Sequence, residues 1–507
     1  MSTESTTDDQ GLDKGLMMIA WVVVLGSIMA ILDTTVVNVA INHLTEDFDA
    51  PLSTIQWVIT GYMLALATVI PLTGWAAHRF GTKRLYITSI GLFAIGSALC
   101  GAAWSAESLI AFRVLQGLGG GMILPAGMTI LTQAAGPQRV GRVMAVIGVP
   151  MMLGPIMGPI LGGWLVDDVS WRWIFYINLP IAAIALPFAM KVLPKDQPQH
   201  GEALDVLGLV LLSPGLAALL YGLAKTGEEG FSHASAYLPT LVGLALVTAF
   251  TFHALRHENP LLDVRLFANR AVGSAALTIT LFMLAFFGAM LLLPLYLQTV
   301  RGESALQTGL MLAPQGFGAM LMMPVAGRLT DQIGPGKLVL GGLPLVAAGM
   351  AYLTQVGADS SYWALGVALF VMGLGMGLTM MPTMSAAIQQ LRRIEVPRAS
   401  TSLNIIQQVG GSIGTAILSV LLTNAIADKL PGAEGGTAAL AAIPPEQRAQ
   451  AAPLVADAFG SVFVWALVFV ALAAIPAFFL PRTKPVPVED DDADAEGAGA
   501  APVLMHA

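Results

Sequence analysis

The stretch GPIMGPILGG, residues 154–163, decides how the rest of the chain is interpreted. Its glycines recur every four residues, at Gly154, Gly158 and Gly162, with Gly163 following the last of them. In a helix the three spaced glycines share one face, which another backbone can approach closely. Pro155 and Pro159 each remove a backbone donor, and a helix in lipid tolerates this because neighbouring helices satisfy the freed carbonyls. The stretch therefore predicts a bent, closely packed membrane helix.

The composition of the whole chain supports a membrane protein. Of the 507 residues, 56% are hydrophobic and only 11% are charged, whereas soluble domains carry about 25% charged residues. The net charge of −8 is concentrated in an acidic tail over 483–507, whose composition predicts a disordered segment. The polar tail 1–14 lacks the basic region of a signal peptide, so the first apolar segment should stay in the protein. Cys100 is the single cysteine, which excludes an internal disulfide.

Apolar segments of about 20 residues, long enough to span a bilayer, recur along the chain. We count fourteen of them: 15–41, 53–76, 85–104, 107–131, 140–165, 171–193, 204–224, 236–256, 270–298, 306–329, 337–356, 362–390, 399–425 and 458–480. An even number places both termini on the same side. Of the 24 Lys and Arg residues, eighteen fall on that side, five fall on the other, and Arg113 lies inside the fourth segment. The positive-inside rule therefore predicts cytoplasmic termini.

The sequence also repeats itself. Four residues around the second span, Pro71, Gly74, His78 and Gly81, match four later ones at a constant offset: Pro324, Gly327, Asp331 and Gly334. The repeat predicts two six-helix bundles, 15–194 and 269–482, joined by two linker helices within 195–268, with an outer loop over 426–457. Repeated halves are typical of secondary transporters, whose substrate sites lie between them.

Two charged residues lie deep inside the predicted spans, Asp33 in the first and Arg113 in the fourth. A charge inside a bilayer is expensive, so a retained one indicates a functional role. From the helix rise of about 1.5 Å per residue, the two lie within about one turn of each other in depth and can pair. Burial favours the protonated carboxyl whereas an adjacent guanidinium favours the carboxylate, so a change in pairing would change proton affinity. Asn38 and Gln116 would support the pair, and a static ion pair that only fixes the two helices is the alternative.

Other chemistries are excluded by context. The GGSIG stretch 410–414 fits a hydrolase pattern, but it lies within an apolar span without the required strand-to-helix turn. Gly336-Lys337 is not followed by Ser or Thr, so no phosphate-binding loop is present. The seven histidines are scattered, which predicts no metal site. We expect no enzymatic activity, no cofactor and no nucleic-acid partner.

Five stretches together resemble the major facilitator superfamily, and within it the fourteen-helix drug:proton antiporters of the EmrB/QacA type. They are 32–40, 74–84, 113–121, 154–163 and 171–180. The resemblance implies that Asp33 and Arg113 couple transport to protons and that Gly154 to Gly163 form the bend used in alternating access. It also implies loop gating by two sets of residues: Gly74, His78, Arg79, Gly81 and Arg84, and Gly327, Asp331 and Gly334.

Three positions depart from the family pattern. His78 stands where the family has an acid, Ala145 replaces the first glycine of the antiporter signature, and Asn42 replaces a proline that usually ends the first signature. The second copy keeps its acid, Asp331.

These observations predict a multidrug efflux antiporter in the cytoplasmic membrane, driven by the proton gradient and exporting lipophilic neutral or monocationic small molecules. A dedicated exporter of one metabolite, antibiotic or lipid is an alternative, as are a passive facilitator, a membrane receptor and a proton symporter. The need for accessory envelope proteins is left open.

Overall fold

The computed structural model describes residues 13–136, 139–196, 203–230, 233–389, 391–392, 395–430 and 445–483. Within these ranges all regular structure is helical, which confirms the predicted all-α class. The α-helices are α1 (Lys14–Val36), α2 (Ile41–Asp47), α3 (Leu52–Val69), α4 (Leu72–Phe80), α5 (Thr82–Gly101), α6 (Ala106–Ala135), α7 (Val140–Asp168), α8 (Trp173–Tyr176), α9 (Asn178–Val192), α10 (Val206–Glu229), α11 (Ala234–Arg256), α12 (Arg270–Thr299), α13 (Ala305–Ile333), α14 (Pro335–Leu353), α15 (Tyr362–Ile388), α16 (Val396–Lys429) and α17 (Pro445–Ala477). Short 3-10 helices cover Val37–Ala40 and Val264–Ala268.

The helices have the length and composition of membrane spans. In the described ranges twelve are long and apolar enough to cross a bilayer, and α3 with α4 form one further, bent span. The predicted span 140–165 coincides with α7, a continuous helix of 29 residues. Each of the fourteen predicted segments therefore contains a helix.

The predicted span 53–76 contains a bend. The chain breaks between α3 and α4, and the two axes are inclined by 55°. Pro71 stands at the break, immediately before α4. Its ring lacks an N–H and clashes with the preceding turn, which bends the axis.

Helices occupy both ends of the predicted outer loop 426–457. Helix α16 continues to Lys429 and α17 begins at Pro445, while residues 431–444 lie outside the described part of the chain. The segment 446–456 is rich in alanine and other strong helix formers, and it is continuous with the last span.

The backbone has the same conformation at one glycine in each copy of the sequence repeat. Gly81 between α4 and α5 has φ +91° and ψ 150°, and Gly334 between α13 and α14 has φ +91° and ψ 147°. Residues with a Cβ rarely adopt this conformation, which explains the glycine at both positions. We call the end of the molecule that carries these two turns the basic end.

Helices α10 and α11 pack against each other, and α10 also packs against α3 and α16. Ser213 of α10 donates a hydrogen bond to the carbonyl oxygen of Thr68 in α3 (2.6 Å). A small apolar cluster around Leu212 and Phe250 extends to Ile405 of α16. The linker helices thus contact helices from both predicted bundles.

Candidate functional site

Asp33 and Arg113 meet in the interior of the first bundle. Arg113 Nη1 lies 2.6 Å from Asp33 Oδ2, and each residue is only 1% exposed. Helix α6 approaches its neighbours closely because it is rich in glycine: a Cβ on Gly117 would lie 2.7 Å from the carbonyl oxygen of Tyr62, and one on Gly119 would lie 2.5 Å from the backbone nitrogen of Phe93. This close approach seals the ion pair from solvent. Asp33 and Arg113 therefore form a buried ion pair, the arrangement that their predicted depths indicated.

Arg113 has several further partners. Its Nη1 also donates to Gln116 Oε1 (2.8 Å), and its Nε donates to the carbonyl oxygen of Val58 (3.1 Å). The guanidinium lies over the Tyr62 ring, with Cζ 3.9 Å from the ring centroid. A buried guanidinium needs such a set of acceptors, since each unpaired donor costs free energy. The arrangement holds the charge of Arg113 in place whichever state Asp33 adopts.

Asp33 accepts three hydrogen bonds. Besides Arg113, its Oδ1 accepts from Gln116 Nε2 (2.8 Å) and from Asn178 Nδ2 (3.3 Å). Asn178 also donates to Ser97 Oγ (3.0 Å), which places α5, α6, α9 and α1 in one polar network. Asp33 is therefore the acceptor through which these four helices are joined.

Sequence reasoning did not identify Asn178 or Ser97 as site residues. Asn178 lies in the stretch 171–180, which carries the family resemblance, and that was the available signal. Ser97 is a small residue in an apolar span, and Tyr62 has the sequence context of an ordinary buried aromatic residue. Only the tertiary packing brings them to Asp33. The predicted support by Gln116 is present, whereas the side chain of Asn38 lies outside the described part of the structure.

The spaced glycines of α7 face α1 beside Asp33. A Cβ on Gly154 would lie 2.0 Å from Ile31 Cγ2, and one on Gly158 would lie 2.1 Å from Thr35 Oγ1. Thr35 Oγ1 also donates to the carbonyl oxygen of Gly154 (3.2 Å). A Cβ on Gly162 would still lie 3.1 Å from the side chain of Val36. The glycine face thus allows α7 to lie directly against the turn that carries Asp33.

Gly163, the last residue of the predicted stretch in α7, lies away from this packed face. A Cβ on Gly163 would meet nothing within 4 Å, so this glycine does not contribute to the close packing. The side chains of Pro155 and Pro159 lie outside the described part of the structure. The helix itself continues through both positions.

At the basic end α7 contacts the second bundle instead. A Cβ on Gly141 would lie 2.7 Å from the carbonyl oxygen of Gly327 in α13. Asp331 Oδ1 accepts a hydrogen bond from Gly141 N (3.0 Å), and its Oδ2 accepts one from Arg142 N (3.3 Å). The Arg142 Nε lies 3.6 Å from the same carboxylate. Asp331 therefore caps the first turn of α7, where an anion is stabilised by the helix dipole.

The first copy of the repeat has a different set of contacts. A Cβ on Gly74 would lie 3.4 Å from Arg398 Cα, so α4 approaches α16 closely. His78 and Arg79 occupy the last turn of α4, where basic side chains favour the negative end of the helix dipole. At the aligned position the first copy thus has the basic residue His78 and the second copy has the acidic residue Asp331.

The turn at Gly81 is held by Asp196. Its Oδ1 accepts from Lys83 N (2.8 Å) and its Oδ2 accepts from Arg84 N (3.0 Å). A Cβ on Gly81 would lie 2.1 Å from Asp196 Cγ, so a larger residue there is excluded by contact as well as by φ. Gly334 is similarly enclosed, since a Cβ there would lie 2.6 Å from the carbonyl oxygen of Thr483.

The prediction that the histidines are scattered is wrong at one place. His253 and His257, one turn apart, lie together with Asp205, and one ligand atom of each lies within 4.8 Å of the others. Asp205 Oδ1 accepts from Gly208 N (2.8 Å) and lies 2.8 Å from His253 Nε2, while Oδ2 accepts from Leu261 N (3.1 Å). Both carboxylate oxygens are engaged, so the cluster ties α10 to α11. Burial raises the pKa of the Asp205 carboxyl, but these hydrogen bonds outweigh it and hold the pKa below its ordinary value.

Comparison with known proteins agrees with this architecture. The profile of the Major Facilitator Superfamily matches residues 23–415. The Multidrug resistance protein B homolog of Mycobacterium tuberculosis is 48% identical over 493 residues, which cover 93% of this chain and 91% of that protein. The Multidrug export protein EmrB of Haemophilus influenzae is 33% identical over 414 residues, covering 81% of each chain.

A solved structure, that of the human organic anion transporter MFSD10 (TETRAN), has a TM-score of 0.59 and covers 90% of this chain and 99% of that chain. Its sequence identity of 17% makes this a likeness of fold alone. The family profile and the similarity to curated relatives along nearly the whole length together show that this chain belongs to the Major Facilitator Superfamily of membrane transporters.

Proposed function

We propose that the protein is a proton-coupled exporter of lipophilic small molecules that works by alternating access. The observation that carries the proposal is the buried carboxylate of Asp33, whose partners come from several helices of one bundle. Relatives named as multidrug resistance and multidrug export proteins support the direction of transport.

The proposed coupling depends on the ion pair and the hydrogen bonds that Asp33 makes. In the present conformation Asp33 accepts hydrogen bonds from three donors. A movement of α1 against α6 that lengthens the contact with Arg113 would favour protonation, because a desolvated charge without a partner is costly. Substrate and proton then favour different conformations, which is the thermodynamic requirement for antiport. Inward movement of a proton supplies about 2.3 kcal/mol per 100 mV of membrane potential.

The contacts of α7 support an outward-facing assignment for the present conformation. Near the basic end, α7 packs on α13: a Cβ on Gly148 would lie 2.6 Å from Met323 Sδ. From Gly154 to Gly162 the same helix packs on α1 of its own bundle. The two bundles are thus tightly joined at the basic end, which closes access from the cytoplasm in the proposed orientation.

The proposed topology has fourteen spans with both termini in the cytoplasm. The distribution of Lys and Arg supports the orientation. The spans divide into bundles at 15–194 and 269–482 with linker helices within 195–268, a division supported by the matching turns at Gly81 and Gly334. The linker helices would hold the bundles together at their periphery during the conformational change.

Dye efflux from inverted membrane vesicles tests the proposal. The wild-type protein should move a neutral lipophilic dye into energised vesicles, and an uncoupler should stop it. A passive facilitator would continue to equilibrate the dye after the gradient collapses. A proton symporter for uptake would move it in the opposite direction, and either result would contradict antiport.

A further inference from the structure

One aspartate and two histidines meet where the two linker helices lie side by side. Asp205 immediately precedes α10, whereas His253 lies in the last turn of α11 and His257 follows that helix directly. One carboxylate oxygen of Asp205 and one ring nitrogen of each histidine lie within 4.8 Å of one another. Two histidines four residues apart project from one face of a helix, which is a spacing from which both can bind one metal ion. The cluster therefore has the ligand types and the spacing of a transition-metal site.

The carboxylate of Asp205 is buried and held in a fixed orientation. Its side chain is 2% exposed. Oδ1 accepts a hydrogen bond from Gly208 N (2.8 Å), and Oδ2 accepts one from Leu261 N (3.1 Å). Each carboxylate oxygen has two lone pairs, so neither oxygen is saturated by its backbone donor. Hydrogen bonds of this kind orient a carboxylate that binds a metal ion.

His253 already lies close to the distance at which it could share a metal ion with Asp205. Its Nε2 is 2.8 Å from Asp205 Oδ1, so a single proton lies between the two atoms. In a tetrahedral zinc site the bonds to nitrogen and oxygen are about 2.0–2.2 Å long, which places neighbouring ligand atoms about 3.3 Å apart. A separation of the two side chains by about half an ångström would therefore admit a metal ion in place of the proton.

His257 lies on the solvent side of the cluster. Its ring centroid is 5.0 Å from that of His253, and its side chain is exposed. Its Nδ1 accepts from Asn259 N (3.2 Å), an exposed hydrogen bond that would open when the ring binds a metal ion. The backbone beside it is fixed, since Arg265 Nη2 donates to the carbonyl oxygens of Leu255 (2.9 Å) and His257 (3.0 Å). A metal ion could thus enter from solvent and find the third ligand on an ordered turn.

We propose that Asp205, His253 and His257 bind a zinc ion that joins the linker helices α10 and α11 at one end. Two imidazoles and one carboxylate suit a borderline ion such as Zn²⁺, whereas Mg²⁺ and Ca²⁺ prefer oxygen ligands throughout. Three protein ligands leave a fourth position for water. The expectation of no metal site considered only the spacing of the histidines along the chain, and the carboxylate lies 48 residues before His253. The inference does not depend on the proposed export function.

Zinc titration of the purified full-length protein in lipid nanodiscs tests the inference. The protein is prepared without a polyhistidine tag, and bound metal is removed with EDTA, which is then washed out. The wild type should bind about one equivalent of Zn²⁺, and Zn²⁺ should raise its melting temperature, because an ion that binds only the folded state stabilises it. His257→Ala should weaken zinc binding about tenfold or more. It should still fold, since His257 is exposed and the contact between Asp205 and His253 remains.

His233→Ala is the matched control, because it removes an exposed imidazole from the opposite end of α11. It should bind Zn²⁺ as the wild type does. With Cu²⁺ as a paramagnetic probe, nitrogen hyperfine splitting should show two coordinated imidazoles in the wild type, a result that does not depend on the stability of any variant. No saturable zinc binding by the wild type, unchanged affinity in folded His257→Ala, an equal loss in His233→Ala, fewer than two coordinated nitrogens or displacement of Zn²⁺ by Mg²⁺ would each overturn the inference.

Discussion

Replacing Asp33 by asparagine separates a coupling role from a merely structural one. The carboxylate accepts from Arg113 (2.6 Å), Gln116 (2.8 Å) and Asn178 (3.3 Å). Asparagine keeps one acceptor oxygen, and its NH₂ group would face groups that are themselves donors. Removing one member of a buried ion pair costs about 3–5 kcal/mol, because the remaining charge is left without a counter-charge. Asp33→Asn should therefore be less stable and should also lose gradient-driven export.

The second variant needed is Asp33→Asn combined with Arg113→Gln, which removes both charges. If the loss of stability comes from the unpaired guanidinium, the double variant should melt at a higher temperature than Asp33→Asn alone. It should still fail to pump dye in inverted vesicles, since no carboxyl remains at position 33. The reasoning would be refuted if Asp33→Asn pumped uphill as well as the wild type. Recovery of pumping in the double variant would equally show that the ion pair is only structural.

Three further predictions concern the helix contacts. Gly158→Ala should reduce efflux and destabilise the protein by about 1–3 kcal/mol, because its Cβ would lie 2.1 Å from Thr35 Oγ1. The control Gly163→Ala should melt and transport as the wild type does, because a Cβ there meets nothing within 4 Å. Equal effects of the two substitutions would contradict the packing argument. Asp331→Asn should weaken the contact between α7 and α13 at the basic end. Spin labels beside the turns at Gly81 and Gly334 should then show a larger population of long distances. An unchanged distance distribution would count against the cap on α7. Asp205→Ala should cost about 1 kcal/mol at neutral pH. The pKa of Asp205 is lower in the folded protein than its ordinary unfolded value of about 3.9, so its contribution to stability is present above that pH and is lost as pH falls through the folded pKa. The difference in melting temperature between the wild type and Asp205→Ala should therefore narrow below about pH 4 and stay constant above it.

The membrane helices could be predicted from sequence because lipid imposes a simple length and hydropathy requirement on each span. The facing of Asp33 and Arg113 could also be predicted, since both depths follow from the helix rise. The angle between α3 and α4 could not be predicted from the sequence. Pro71 indicates that a bend is possible, but the 55° angle depends on the helices that pack around it.

Contacts between residues distant in sequence were the main part that the sequence did not predict. Asn178 lies at the start of α9, where a polar residue is equally compatible with a loop. Asp205 and His253 are 48 residues apart and meet only because α10 and α11 pack as an antiparallel pair.

Helix α7 provides a physical connection between the proton site and the contact between the bundles. Its glycine face lies against Ile31 and Thr35, on either side of Asp33 in α1, and its first turn is capped by Asp331 of the second bundle. At the closest of these positions even one methyl group would not fit, so a shift of α1 cannot be absorbed there by rearranging side chains. In the proposed mechanism, protonation of Asp33 changes the position of α1, α7 moves with it, and the cap at the basic end is strained. The protonation of Asp33 and the contact between the two bundles then influence each other through a rigid helix.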